Sequence, residues 1–384
     1  MQLSGRPLLW RYLLPVAMLL MQLFASAAYA VVLPEQRVDA LYHRYEGGGM
    51  TIDGPSILVR KNIKEKVSVS ANYYVDNVSA ASIDVVTAAS PYTEQRKQKS
   101  LGIDYLAGKA IYSFGWTNSE ENDYSADTFS FGASQDFFGD MTTLSLGYSR
   151  GDDTVRRSGD PAFEEEASRQ QFRIGITQVV TRNWLLALTH EFITDEGFLN
   201  NPYRSVRFRT GNSFSFQSEV YPETRASDTT AIRSSYYLPW RAGLHAEYRR
   251  YSDSWGIEAQ DWGLSIVQPW RDKWEFELKL RQYDQTQADF YSDLFPFQDA
   301  QNFLARDKEM STFTSTTVGA AVGYTFLKKK YRHIDRLAFR VSVDYYNFDY
   351  DNFRDIRVTS ADVGEEPLYS FSATVTQVLF SLWY

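Results

Sequence analysis

Lys273-Trp274-Glu275-Phe276-Glu277-Leu278-Lys279-Leu280-Arg281 is the stretch that decides the fold. Trp274, Phe276, Leu278 and Leu280 alternate with Glu275, Glu277, Lys279 and Arg281. A period of two puts the apolar residues on one face of an extended strand and the charges on the other. In a soluble sandwich the charged face would meet bulk water. In a barrel it meets a wet lumen, while the apolar face meets lipid. The same alternation returns in Val67, Val69, Ala71, Tyr73 and Val75 against Ser68, Ser70, Asn72 and Asp76. It returns again in Val318–Phe326, and in Leu337–Tyr345 against Arg340, Ser342 and Asp344. Each run is about ten residues long, the length a tilted strand needs to cross a bilayer.

Runs of this kind fall at 36–46, 50–60, 66–76, 98–106, 109–118, 125–135, 141–150, 168–180, 183–194, 229–239, 242–251, 256–268, 273–284, 312–327, 335–348 and 370–384. The expected fold is therefore all-β, an antiparallel transmembrane barrel of about 16 strands, an even number as single-chain bacterial barrels require. Short connections (Asn62–Glu65, Ala107-Gly108, Phe137–Asp140, Thr181-Arg182, Pro239–Arg241, Trp270–Asp272, Lys328–His333) alternate with longer ones at 77–97, 151–167, 195–228, 285–311 and 349–369. Short periplasmic turns and long outer loops are the outer-membrane pattern. Short hairpins at Gly47-Gly48-Gly49 and Ser252–Trp255 break it. The C-terminal strand places Val378, Phe380, Leu382 and the last residue, Tyr384, on one face, the amphipathic aromatic ending that barrel-assembly machinery reads. Phe371, Ala373 and Val375 lie in the opposite phase and predict a bulge near Thr376-Gln377.

Residues 1–30 read as an export signal. Arg6 and Arg11 precede a short apolar core at Leu13–Leu20, and Ala28-Tyr29-Ala30 supplies the small residues of a cleavage site, so 31–384 is the expected mature barrel. The rest of the chain has no apolar run of membrane-helix length, and the mean hydropathy of the whole sequence is −0.40. Aromatic residues make up 16 % of the chain, with 26 Tyr and 25 Phe, which suits a barrel with aromatic girdles. Cysteine is absent, which excludes disulfide scaffolds and thiolate metal sites. Of the 40 basic residues two lie in the signal, so 38 face 48 acidic ones, a mature net charge of −10. A nucleic-acid partner is excluded on that balance.

Beyond the period, several loop motifs carry a likeness. They are Asp53-Gly54-Pro55-Ser56; Tyr74-Val75-Asp76 through Ser79, Ala81-Ser82 and Asp84-Val85; Ala89-Ser90-Pro91-Tyr92 with Glu94 and Arg96; Asn201-Pro202-Tyr203-Arg204; Tyr221-Pro222-Glu223 with Arg225; and Trp255-Gly256-Ile257. Over essentially the whole mature chain the sequence resembles an uncharacterised family of proteobacterial outer-membrane β-barrel proteins, a domain of unknown function. The resemblance implies an outer-membrane address in a Gram-negative cell, with no substrate or reaction. Similar barrels look to be encoded near small lipoproteins, thioredoxin-like proteins and flavin-transferring enzymes. That implies a periplasmic redox protein or small lipoprotein as partner.

Three groups of candidate residues follow. The segment 77–97 is rich in Val78, Ala80, Ala81, Ile83, Val85 and Val86 and framed by charge. Burying apolar area is favoured by about 25 cal/mol per Å², so this loop is expected to sit inside or across the barrel mouth. Asp76, Ser79, Ser82, Asp84, Pro91, Tyr92, Glu94 and Arg96 would then be gating residues. Asp76, Asp104, Arg173, Glu191, Arg233, Glu247, Arg249, Glu275, Glu277, Lys279, Arg281, Arg340 and Asp344 share the lumen phase and could either select solutes or compensate one another across strands. Phe380, Leu382 and Tyr384 form the assembly signal. The histidines His43, His190, His245 and His333 show no metal-ligand spacing, and no serine elbow accompanies the lumen-phase His245. No metal, cofactor or enzymatic role is expected. Two functions stay open: a channel for small solutes, and a non-conducting scaffold that docks a periplasmic or surface partner.

Overall fold

The computed structural model describes residues 32–80, 92–327 and 333–384. Sixteen strands close into one antiparallel barrel. They are β1 (Arg37–Gly47), β2 (Met50–Ile63), β3 (Val67–Ala80), β4 (Tyr92–Ala107), β5 (Ala110–Glu120), β6 (Tyr124–Phe137), β7 (Thr142–Arg157), β8 (Asp160–Thr181), β9 (Trp184–Gly197), β12 (Thr224–Tyr237), β13 (Gly243–Asp253), β14 (Glu258–Trp270), β15 (Trp274–Gln285), β16 (Phe313–Leu327), β17 (Arg336–Arg354) and β18 (Leu368–Trp383). A separate hairpin, β10 (Ser205–Thr210) and β11 (Ser213–Ser218), stands between β9 and β12. Neighbours in sequence pair throughout, β9 pairs with β12, and β1 closes on β18 from Arg37↔Trp383 to Gly47↔Ala373. Closure gives each of the sixteen barrel strands a hydrogen-bonded neighbour on both sides.

All sixteen runs read from the alternation are barrel strands, and the phase holds. Leu278 is 62 % exposed on the outer face, with Leu280, Val318 and Leu264 beside it, while Lys279 turns to the lumen. Trp184, Trp240, Trp270 and Trp274 ring the end that carries the termini, at or beside its turns, an aromatic girdle at one membrane boundary.

Connections at the terminal end are short: 64–66, 108–109, 138–141, 182–183, 238–242 and 271–273. At the opposite end the expected alternation is corrected. Four hairpins there are tight, at 48–49, 121–123, 158–159 and 254–257, and three connections are long, at 198–223, 286–312 and 355–367. The expected loop at 151–167 is a continued β-ladder, in which β7 runs to Arg157 and β8 begins at Asp160 around Gly159, φ 84°. The polar residues there alternate too, but lie beyond the lipid, where both faces meet water and no hydrophobic signal marks the strand. The bulge expected near Thr376-Gln377 is also absent: Thr376 pairs Arg44 and Gln377 pairs His43 in unbroken register. Phe371, Ala373 and Val375 face inward, because Phe371 packs into a lumen aromatic cluster with Phe313, Phe348, Tyr350, Phe353 and Tyr369.

Candidate functional site: a two-sided lumen

Register places every lumen charge read from the sequence on the inner face, and cross-strand partners neutralise them. Arg173 meets Glu191 at 2.5 Å, Arg233 meets Glu247 at 2.5 Å, and Lys279 meets Asp344 at 2.7 Å. Arg249 and Arg281 share Asp261 at 2.7 and 3.1 Å, while Arg340 bridges Glu275, at 2.8 Å, and Glu277. Asp104 is held by Arg60 at 2.7 Å and by the Ser113 hydroxyl. Arg169 with Asp195, at 2.6 Å, and Arg225 with Asp253, at 2.5 Å, extend the set toward the loop end. Arg60, Arg169, Asp195, Arg225, Asp253 and Asp261 are functional-face residues that sequence reasoning missed. The signal was available for Arg60, Arg169 and Asp261, which share the inner phase of runs already assigned.

The inner wall has two unlike halves. Along β4 to β7 its middle is built from Ser100, Gly102, Ser113, Gly115, Thr117, Thr128, Ser130, Gly132, Ser145, Gly147 and Ser149. These side chains are short and every one of them keeps solvent exposure. Along β12 to β17 the wall carries the charged ladder, and several small groups between are covered: Ala231, Thr317 and Ala321 are 5 %, 6 % and 3 % exposed.

The long loops spring from the second half, and Tyr203 carries them across to the first, where its hydroxyl donates to Asp123 and accepts from the Ser158 N–H. Arg207 on β10 is fully buried and bonds Asp293 and both carboxylate oxygens of Glu366, tying 198–223, 286–312 and 355–367 into one layer. Burial pushes the Glu366 carboxyl up, and the Arg207 hydrogen bonds outweigh it, leaving it below the usual range. Around this point Val206, Phe208, Phe295 and Leu304 form one apolar core, and Tyr221, Trp255, Ile257 and Phe290 another. Glu219 accepts from the Arg306 N–H and the Tyr221 hydroxyl at 2.7 Å each. Burial, with Asp307 beside it, pushes its carboxyl up to about 7.

It is 286–312 that turns onto the lumen wall. The Gln285 amide, on the inner face of β15, donates to the Glu309 and Ser311 carbonyls at 2.9 and 2.8 Å, holding a 3₁₀ turn at Lys308–Met310. Between this turn and the wall lies a cavity of about 220 Å³ lined by Arg225, Arg249, Tyr251, Asp261, Tyr283 and Glu309 among others.

The gating segment expected at 77–97 is different at its ends. Asp76 pairs Arg96 and Ser79 pairs Thr93 as β3 and β4 continue, so these are wall residues. The strands extend because their cross-strand hydrogen bonds are available whatever the side chains are. Ser79 points outward; Asp76, Glu94 and Arg96 point inward. Tyr92 opens β4, while Ser82, Asp84 and Pro91 lie outside the described residues. Asp76 is buried, bonded to His43 Nε2 at 2.7 Å and facing Arg96 at 3.4 Å, with His43 stacked on Tyr74. Glu94 comes together with Glu121 and Asp123 at the rim, their carboxylate oxygens within 4.8 Å. Phe380 and Leu382 take the lipid-facing phase of β18, and the Tyr384 hydroxyl donates to the Arg60 carbonyl at 3.0 Å. The described residues begin at 32, so the export signal lies outside them.

A closed 16-strand barrel with an apolar outer belt and a charged, wet interior is an outer-membrane β-barrel. The chain belongs to the family described as "Protein of unknown function (DUF3570)", whose model matches residues 84–364. No curated protein sequence matches it. Solved structures similar to it include a "Bacterial polysaccharide outer membrane secretin", at 7 % identity, covering 92 % of this chain and 100 % of that one with a TM-score of 0.49. OpdK of Pseudomonas aeruginosa with vanillate is similar at 9 % identity, 92 % and 100 % coverage and a TM-score of 0.44. The CymD monoaromatic hydrocarbon channel follows at 8 %, with 92 % and 89 % coverage and a TM-score of 0.43. Likeness at this level is a shared barrel and carries no solute or partner across.

Proposed function

We propose that this protein is a diffusion channel for small polar solutes, with its open path running off-centre against the Ser/Gly/Thr wall of β4 to β7. The observation that carries this reading is the asymmetry of exposure: the short inward residues in the middle of that wall all keep exposure, while Ala231, Ser315, Thr317 and Ala321 on the other are covered. A 16-strand barrel encloses an aqueous lumen unless loops fill it, and the loop layer is anchored on the β9 to β18 half, with Tyr203 reaching Asp123 and Ser158 across the mouth. The 286–312 segment narrows the lumen at Gln285. Purified barrel in planar bilayers should conduct. In a chain without cysteine, Ser130→Cys should let a charged methanethiosulfonate reduce the current, and Thr317→Cys should not. Absence of any conductance from correctly folded barrel would overturn the channel reading.

A second reading, the scaffold that docks a surface partner, is favoured by one observation. Phe216, Val220, Phe297 and Phe303 are each more than 40 % exposed on the loop layer, where lipid does not cover them. A barrel that fails to conduct yet captures such a partner through these side chains would decide for it. The periplasmic redox protein or small lipoprotein implied by the family resemblance stays a proposal of the same kind, tested by crosslinking from the terminal end.

A further inference from the structure

We infer that the lumen selects small oxyanions, carboxylates and phosphates, through a staggered series of cations whose counter-charges are buried behind them. This inference rests on the channel reading for its biological use, and on side-chain exposure for its physics. In the lumen pairs of the β8 to β17 wall, Arg340–Glu275 excepted, the cation is the outer partner. The Arg169 side chain is 63 % exposed against 9 % for Asp195; Arg249 is 41 % exposed against 5 % for Asp261; Lys279 is 35 % exposed against 10 % for Asp344. Arg173 over Glu191, Arg233 over Glu247, Arg281 over Asp261 and Arg340 over Glu277 repeat the order. Every such pair is a dipole with its positive end in the water path.

Two consequences follow from the chemistry of the head groups. A guanidinium has five N–H donors in a rigid fork. Arg249 uses its Nε on Asp261, and Arg173 uses an Nη on Glu191, so donors remain for a second oxyanion in the bidentate geometry that carboxylate and phosphate favour. The cations are also staggered along the axis. Arg340 stands near the terminal end of β17, Lys279 and Arg281 midway along β15, and Arg169 and Arg225 both opposite Asp195, at the level of the loop ends of β9 and β12. Steps of this kind, each already half-neutralised, bind weakly enough to pass an ion on. Acids that face the same space are Glu275, which is 48 % exposed at the terminal end, Glu309 at the cavity, and Glu94, Glu121 and Asp123 at the rim. The chain as a whole carries a net charge of −8, so net charge alone would favour cations. Local geometry and global charge therefore make opposite claims.

Reversal potential across a KCl gradient in planar bilayers decides between them. Wild-type barrel is expected to prefer chloride over potassium. The pair-neutral variant Arg173→Gln/Glu191→Gln/Arg233→Gln/Glu247→Gln, which strands no buried charge, should move the permeability ratio toward unity. The outer-face control Arg44→Gln/Glu46→Gln should leave it unchanged. Potassium preference in the wild type, or no shift in the pair-neutral variant, overturns the proposal. ³⁵Cl line broadening by detergent-solubilised barrel gives a readout that needs no conduction. Wild type should broaden the line, acetate or inorganic phosphate added singly should reverse it and rank the two oxyanions, and the pair-neutral variant should lose it. Broadening without conductance removes the channel reading and keeps the anion sites; no broadening beyond that of the variant removes the sites.

Discussion

The β4 to β7 wall and the β12 to β17 wall are built on the same alternation, yet they do opposite things with their inner faces. The first puts serine, threonine and glycine inward, joined by tight hairpins at 121–123 and 158–159. The second puts arginine and carboxylate inward, and its half of the barrel carries the connections 198–223, 286–312 and 355–367. The difference teaches that strand pairing makes the cylinder while inner side-chain size and loop length decide how far it is filled. Short side chains need no cover and leave room. Long paired charges fill the lumen, and the loops above them have a wall of donors, such as Gln285, to dock on.

The loop layer is where the comparison breaks most easily. Arg207→Met leaves Asp293 and Glu366 without their shared cation, and stranding a buried charge costs about 3–5 kcal/mol. The expected outcome is protease cleavage within 198–223 and 286–312 while the barrel stays heat-modifiable on gels. Loss of the barrel itself would show that the loops and cylinder are one cooperative unit. The phase on which both walls depend is tested next. Leu278→Arg puts a cation on the lipid face, at a cost of about 2–4 kcal/mol near the midplane, and should impair assembly. Lys279→Leu combined with Asp344→Asn, which leaves no buried carboxylate without its cation, should assemble normally, as the lumen is wet; the reverse order would turn the strand inside out.

A smaller effect comes from Glu219. Its folded carboxyl sits at about 7, above its ordinary 4.5, so the folded layer holds the proton more tightly than the open one. Stability from this group is fully present below about 4.5 and is lost as pH rises through 7, a change on the order of 1–3 kcal/mol. Protease resistance of the layer should fall across that window, and Glu219→Gln should flatten the fall. A layer that tightens with rising pH would reverse the assignment. Smallest of all, Ser130→Tyr should lower single-channel conductance more than Thr317→Tyr, because only the first side chain enters the open half.

Sequence by itself determined the sixteen strands, their phase, the lumen charges and the lipid-facing C-terminal residues. All of these follow from a two-residue period, which is local and survives without knowledge of any neighbour. Where both faces meet water, in the upper parts of β7, β8, β17 and β18, the period carries no hydrophobic contrast and the strands ran past their expected ends. Tertiary structure alone decided that 286–312 turns inward. Its hydrogen-bond partners are Gln285 below it and Arg207, Glu219 and Glu366 beside it, brought from positions up to 159 residues apart, while the middle of 77–97 lies outside the described residues. The same is true of the exposed cations over buried carboxylates. Sequence shows that both signs share the lumen phase, but which member of a pair reaches the water depends on side-chain length and on what packs against it across the strands.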